Sequence, residues 1–231
     1  MSAAPVVLRR FGWQPQPYRP VWQAMQRFTA ERGSEDPDAL WLLNHAPVFT
    51  QGRNGRAEHV LAPGDIEVVP IDRGGQVTYH GPGQLMAYVM LDLKRLGIGI
   101  RSLVTALENA MIATLAGYDI EAYAKRDAPG VYVGAAKIGS IGLRVSRSNS
   151  YHGLALNVDM DLEPFSRIDP CGYHGLAMTQ IADLGGPSDL DRVADDLGAQ
   201  LCTELGLARI DSSDTRADLI GWRASESQSR P

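Results

Sequence analysis

Between residues 39 and 91 strand-like runs follow one another over 39–43, 48–51, 66–70, 76–79 and 84–91, with no helical periodicity between any two. Parallel neighbours need a long crossover, usually a helix, so this order excludes a strictly alternating doubly wound sheet. Around it lie a strand over 5–11 and a helix from Pro20 to Gly33, marked by Val21, Trp22, Met25 and Phe28 at helical spacing. A second helix over 101–116 carries Leu103, Val104, Leu107, Met111, Ile112 and Leu115 and stops at Gly117. Strands are expected again over 130–133, 137–145 and 151–158, and a closing helix over 190–205 stops at Gly206. The pattern predicts an α+β chain with a mixed or antiparallel sheet. Neither repeat nor linker interrupts 5–208, which is expected to be one domain. Residues 209–231 are polar and are expected to form a loose tail.

A chain of 231 residues can bury a substantial core without staples. Its 27 acidic residues against 22 basic ones give a net charge of −5, which argues against a general nucleic-acid binder. The most apolar stretch, 85–91, falls far short of the ~20 residues a membrane helix needs. At the N-terminus Arg9 and Arg10 follow a short apolar run rather than precede it, so no signal peptide is expected and a cytoplasmic location is. Two cysteines are too few for a disulfide framework or a cysteine zinc site, and in the cytoplasm they stay reduced.

Of the 22 basic residues only Lys94, Lys125 and Lys137 are lysines. Lys137 stands alone as a charge within 130–143, among Gly134, Gly139 and Gly142. A lysine stem lying over apolar surface is the common fate of such a residue, but arginine serves that purpose equally well. What lysine adds is the capacity to lose its proton when desolvated, which points to a chemical role. Cys202 sits in the closing helix beside Leu201 and Leu205 and reads as an inert core residue. Cys171 lies between Pro170 and Gly172 in a turn, where a small hydrophobe has little to pack against; a turn cysteine near a cation is the setting of a nucleophile. His174, His152 and His80 are each conceivable partners for it. The Lys137–Cys171 pairing is an expectation about space, not about spacing.

The densest polar cluster is Arg73-Gly74-Gly75-Gln76-Val77-Thr78-Tyr79-His80, continuing to Gln84. Glycines bracket a short strand with Thr78 and His80 on one face and Val77 and Tyr79 on the other. No Gly-Lys-Ser/Thr follows, so it is not a phosphate loop. The strand around His152 and Asn157 needs polar partners for both. His45 and His59 read as ordinary turn histidines without a role. A metal could be held by His80, His152 and His174 only without any carboxylate at ligand spacing, so none is expected.

These motifs together resemble the lipoyl(octanoyl) transferases. The resemblance rests on Arg73-Gly-Gly-x-x-Thr-Tyr-His80-x-x-Gly-Gln84-x-Met-x-Tyr88, Lys137-Ile-Gly-Ser140-Ile141-Gly142-Leu-Arg144, His152-Gly153-Leu154-Ala155-Leu-Asn157 and Pro170-Cys171-Gly-Tyr173. The early run Asn44 to Arg53 is similar too, so the likeness spans about residues 8 to 206. Ser148-Asn149 and His174 depart from the family pattern. The resemblance implies a mixed sheet with flanking helices around an acyl tunnel, similar to the catalytic domains of lipoate- and biotin-protein ligases. It implies transfer of an octanoyl group from acyl carrier protein to a lysine of lipoyl domains, without a cofactor, a membrane or nucleic acid. Those acceptors would be subunits of 2-oxoacid dehydrogenases and the glycine-cleavage H protein. Cys171 would form the acyl thioester and Lys137 would lower its pKa. Arg73, Gly74, Gly75, Gln76, Val77, Thr78, Tyr79, His80, Ser140, Ile141, Gly142, Gly153, Leu154 and Ala155 would line the substrate site, supported by His152 and Asn157. Arg53, Arg56, Arg144 and Arg147 are expected to dock an acidic partner. The alternative is an ATP-dependent lipoate or biotin ligase, which needs no nucleophilic cysteine; a binding module without catalysis is a third.

Overall fold

Strand β6 (Gln84–Met90) is buried along its whole length because the chain covers both of its faces. Its computed structural model describes residues 4–170 and 175–211, Asp211 by backbone alone. Leu85, Ala87 and Val89 point into one core, while Met86, Tyr88 and Met90 point into another. The first core is roofed by α3 (Ile100–Ala116) through Leu103, Leu107, Met111 and Leu115, and by α4 (Leu190–Leu205) through Val193, Leu197 and Leu201. The second is roofed by α1 (Tyr18–Glu31) through Val21, Met25 and Phe28. Pro20 falls within the first turn of α1, where a missing N–H costs nothing.

The strands around β6 are β1 (Ala4–Arg10), β2 (Asp38–Leu43), β7 (Tyr123–Ala124), β8 (Gly130–Val133), β9 (Ala136–Ser146), β10 (Asn149–Asn157) and β11 (Leu207–Asp211). They form an eight-stranded sheet ordered β11-β1-β2-β6-β10-β9-β8-β7. β1 runs parallel to β2 and to β11, and the other pairs are antiparallel, so the sheet is mixed as the sequence predicts. A three-stranded sheet, β4 (Val68–Pro70), β3 (Val48–Gln51) and β5 (Val77–His80), packs through Phe49, Val77 and Tyr79 against Phe165 and Ile168.

Two elements depart from expectation. The chain does not leave the domain at residue 208: β11 continues to Asp211, pairing Ala4 with Leu207 and Leu8 with Asp211. A parallel partner two hundred residues away leaves no local mark in a segment of five residues. The four-residue helix α2 (Leu93–Leu96) also escapes periodicity; Asp92 caps it by accepting from the N–H groups of Lys94 and Arg95. Residues 212–231, expected to be a loose tail, lie outside the described residues. Among the described residues no helix is long and apolar enough to cross a membrane.

Candidate active site

The antiparallel pairing of β9 and β10 sets Gly142 opposite Gly153, Ile141 opposite Leu154, and Ser140 opposite Ala155. These six residues form one wall of a cavity with about 500 Å³ of empty space, part of it open solvent. The facing wall comes from Arg73, Gly75, Gln76, Val77, Thr78 and His80, so most of the predicted substrate residues meet there. Gly75 has φ +82, a conformation glycine adopts without strain. The turn is pinned where the Gly74 N–H donates to the Leu143 carbonyl at 2.8 Å and the Arg53 N–H to the Arg73 carbonyl at 3.0 Å.

Three of the predicted substrate and supporting residues stand apart from this cavity. Tyr79 turns to the other side of β5, its ring packing on Phe49 and Phe165. Asn157 accepts from Gln84 Nε2 at 2.9 Å and donates to the Thr179 carbonyl at 2.9 Å. Gly74 lines a neighbouring cavity, with about 920 Å³ of such space, that also holds Lys137 and shares Gly75, Gln76, Ile141 and Gly142 with the first. The shared wall makes the two cavities neighbours.

Lys137 is 1% exposed. Its backbone is clamped by two bonds, N–H to the Ala177 carbonyl at 2.8 Å and carbonyl from the Thr179 N–H at 3.0 Å. A bulge between Val131 and Tyr132 shifts the β8–β9 register just before Lys137 meets Tyr132. Its Nζ donates to the Pro129 carbonyl at 2.9 Å and lies 5.4 Å from the Tyr132 ring centroid. Cys171 and His174 lie outside the described residues, which end at Pro170 and resume at Gly175. Cys202 is buried in α4, as its sequence setting predicts.

The first cavity also has polar walls, and the sequence assigns no site role to Tyr18 or His45 beside them. His45 is fully buried rather than an ordinary turn residue. Its Nδ1 faces the Gln16 carbonyl at 2.9 Å, so Nδ1 carries the proton and Nε2 accepts from the Tyr88 hydroxyl at 2.6 Å. Tyr18 and Tyr88 both line the cavity with Met86. Burial pushes His45 down to about 4. His80 is held neutral too, at about 3, by burial and then by its neighbour His45. His80 Nδ1 donates to Gln84 Oε1 at 2.7 Å, and its Nε2 accepts from the Thr50 hydroxyl at 3.2 Å. Arg73 donates to that same hydroxyl at 2.9 Å and to the Thr50 carbonyl at 2.7 Å.

His152 lines the cavity from a left-handed backbone, φ +61, which is uncommon outside glycine. Its Nε2 meets Asp72 at 3.0 Å, and Trp22 and Tyr151 donate to the same carboxylate. Burial alone would raise the Asp72 carboxyl, but the bonds from His152, Tyr151 and Trp22 hold it far below the usual carboxylate range. A signal for Tyr88 existed, since a hydroxyl in an otherwise apolar buried strand needs a partner. Asp72 gave none, because its partners come from two distant segments, α1 and β10. Of the four expected docking arginines, Arg53, Arg56 and Arg147 are exposed, whereas Arg144 is half-buried and bonded to Tyr151.

A mixed sheet carrying an apolar cavity beside a buried lysine defines the acyl-protein ligase and transferase fold. Residues 17–202 match the model of the lipoyl protein ligase A/B catalytic domain. The chain belongs to this family and, at 63% identity to a curated octanoyltransferase, to the octanoyltransferases within it. That relative, from Stutzerimonas stutzeri, aligns over 83% of this chain and 88% of its own length. Lipoate-protein ligase A bound with ATP has a similar fold, with a TM-score of 0.73 at 16% identity over 95% of this chain and 93% of that one. A biotin protein ligase from Aquifex aeolicus in complex with biotin and ATP is similar at a TM-score of 0.55 and 14% identity, over 87% of this chain and 70% of that one.

Proposed function

We propose that the domain running from β1 to β11 is catalytic and moves an octanoyl group from acyl carrier protein to a lysine of a lipoyl domain, in the cytoplasm and without ATP. The observation that carries this reading is the buried Lys137, lining a cavity that shares a wall with a mainly apolar one. The Cys171 thiolate attacks the donor carbonyl, the bond to the carrier thiol breaks, and that thiol leaves with a proton from Lys137. The acceptor amine then attacks the new thioester, passes a proton back to Lys137, and expels the Cys171 thiolate as the amide forms. The first exchange trades one thioester for another at little net cost, and the second makes a more stable amide, so no nucleotide is needed. An ammonium beside the thiol favours the thiolate. Apolar walls reward each buried methylene by about 0.8 kcal/mol. The polar groups of Tyr18 and Tyr88 in the wall offer no such reward to a longer chain.

The test is transfer itself. Octanoyl-acyl carrier protein and an apo lipoyl domain are mixed with the protein, without nucleotide, and the acceptor is weighed. Octanoylation of the acceptor lysine supports the reading. Octanoylation only from free octanoate with ATP assigns the chain to the ligase reaction instead.

A further inference from the structure

Helix α3 presents an apolar inner face of Leu103, Ala106, Leu107, Ala110, Met111 and Leu115, and one carboxyl interrupts it. Glu108 is 9% exposed, and its Oε1 accepts the backbone N–H of Gly130 at 3.0 Å. Burying a carboxyl in such a face is costly unless the bond it makes matters to the structure. What it holds is the start of β8, directly beside Lys137. Gly130 has φ +129, and a Cβ there would stand 2.6 Å from Cε and 3.1 Å from Nζ of Lys137. The preceding residue, Pro129, gives its carbonyl to that Nζ at 2.9 Å. Proline has no N–H by which the chain could be anchored, so the Gly130 N–H is the nearest handle on this carbonyl. On the other side Tyr132 lies near the amine and its hydroxyl donates to the Ala128 carbonyl at 3.0 Å. Residues 128–132 thus make a seat for the lysine, tied at one edge by Tyr132 and at the other by Glu108. Among the described residues, charged groups near the seat include Asp127, in the cavity that Lys137 lines, Lys125, 4.0 Å from the Tyr132 ring centroid, and Arg126.

We propose that Glu108 is a positioning residue: by holding the Gly130 N–H it fixes the Pro129 carbonyl and thereby the place of the Lys137 amine during transfer. The inference rests on the Cys171–Lys137 pair proposed above. It separates reach from charge. Gln at 108 keeps an oxygen that accepts the N–H without a charge, Asp keeps the charge but falls one methylene short, and Met keeps volume with neither.

The experiment follows alkylation of Cys171 by iodoacetamide as a function of pH, resolved from Cys202 by peptide mass, in the full chain. Octanoyl transfer and thermal midpoint are measured alongside. Lys137→Met is expected to move the alkylation midpoint to higher pH. Glu108→Met and Glu108→Asp move it the same way by about half a unit to one unit, and slow transfer roughly tenfold with KM for the donor little changed. Glu108→Gln stays within about twofold of wild type. Glu108→Met and Glu108→Asp with wild-type profiles, while Lys137→Met shifts, would overturn the positioning role and leave the catalytic pair intact. Glu108→Gln as impaired as Glu108→Met would also overturn it, by assigning the effect to charge. An unchanged midpoint in Lys137→Met would remove the pair itself and this inference with it.

Discussion

The Tyr88 hydroxyl donates a 2.6 Å hydrogen bond to Nε2 of His45, beside the cavity that Tyr88 lines. Because His45 Nδ1–H is committed to the Gln16 carbonyl, Nε2 has no other proton to share and depends on this donor. Tyr88→Phe therefore leaves a buried acceptor unsatisfied. A loss of about 1–3 kcal/mol is expected in urea unfolding. His45→Gln in the Tyr88→Phe background should add little, because the two residues act as one unit.

Two histidines held neutral by burial make stability depend on pH. The folded values, about 4 for His45 and about 3 for His80, lie below the unfolded value of 6.5. Between these limits the unfolded chain binds more protons than the folded one. Stability is thus fully present above about pH 6.5 and falls as pH drops toward 4 and then 3, by up to about 1.4 kcal/mol per pH unit for each histidine. Thermal midpoints measured from pH 7 to 4.5 should fall, and fall less steeply in His45→Gln. An equal slope in that variant would contradict the assignment.

How much of this the sequence carries depends on how local each signal is. The helix over 101–116 and the strand over 130–133 are marked by their own periodicity and glycine stops, and the structure has them at Ile100–Ala116 and Gly130–Val133. Lys137 stands out as a lone charge among glycines, and it is buried. His45 does not stand out, since a His-Ala-Pro turn looks alike at a surface or in a core; only the strand bridge to Gln16 and the Tyr88 hydroxyl bury it. Asp72 is likewise silent, because Trp22, Tyr151 and His152 reach it from α1 and β10. Polar groups satisfied by distant partners leave no spacing to read.

Two cavity glycines should differ sharply on substitution. A Cβ at Gly153 would meet the Ala87 carbonyl oxygen at 2.0 Å, and backbone in the middle of a sheet cannot move aside. Gly153→Ala is expected to cost at least about 3 kcal/mol, read from the urea midpoint. At Gly142 the obstacle is Arg73 Cδ at 2.7 Å, part of a flexible side chain. Gly142→Ala should fold with a loss below about 1.5 kcal/mol while displacing Arg73 from the cavity wall. KM for octanoyl-acyl carrier protein should then rise several-fold, with a smaller effect on kcat.

Asp38 provides a control remote from the chemistry. Its carboxylate is fully buried and accepts from Arg32 at 2.8 Å, Arg95 at 2.7 Å and the Asp92 N–H at 2.8 Å. Asp38→Ala strands two guanidinium groups and should cost about 3–5 kcal/mol. Transfer per folded molecule should not change, because neither cavity includes any of these residues. A loss of specific activity at full folding would show that the two regions are coupled.

The central claim is that Cys171 carries the acyl group. Intact-mass analysis of the protein mixed with octanoyl-acyl carrier protein, without nucleotide and without an acceptor, tests it most directly. An octanoyl adduct that hydroxylamine removes is expected in wild type and not in Cys171→Ala. An adduct of the same size on Cys171→Ala, or none on wild type while transfer to the lipoyl domain proceeds, would contradict it.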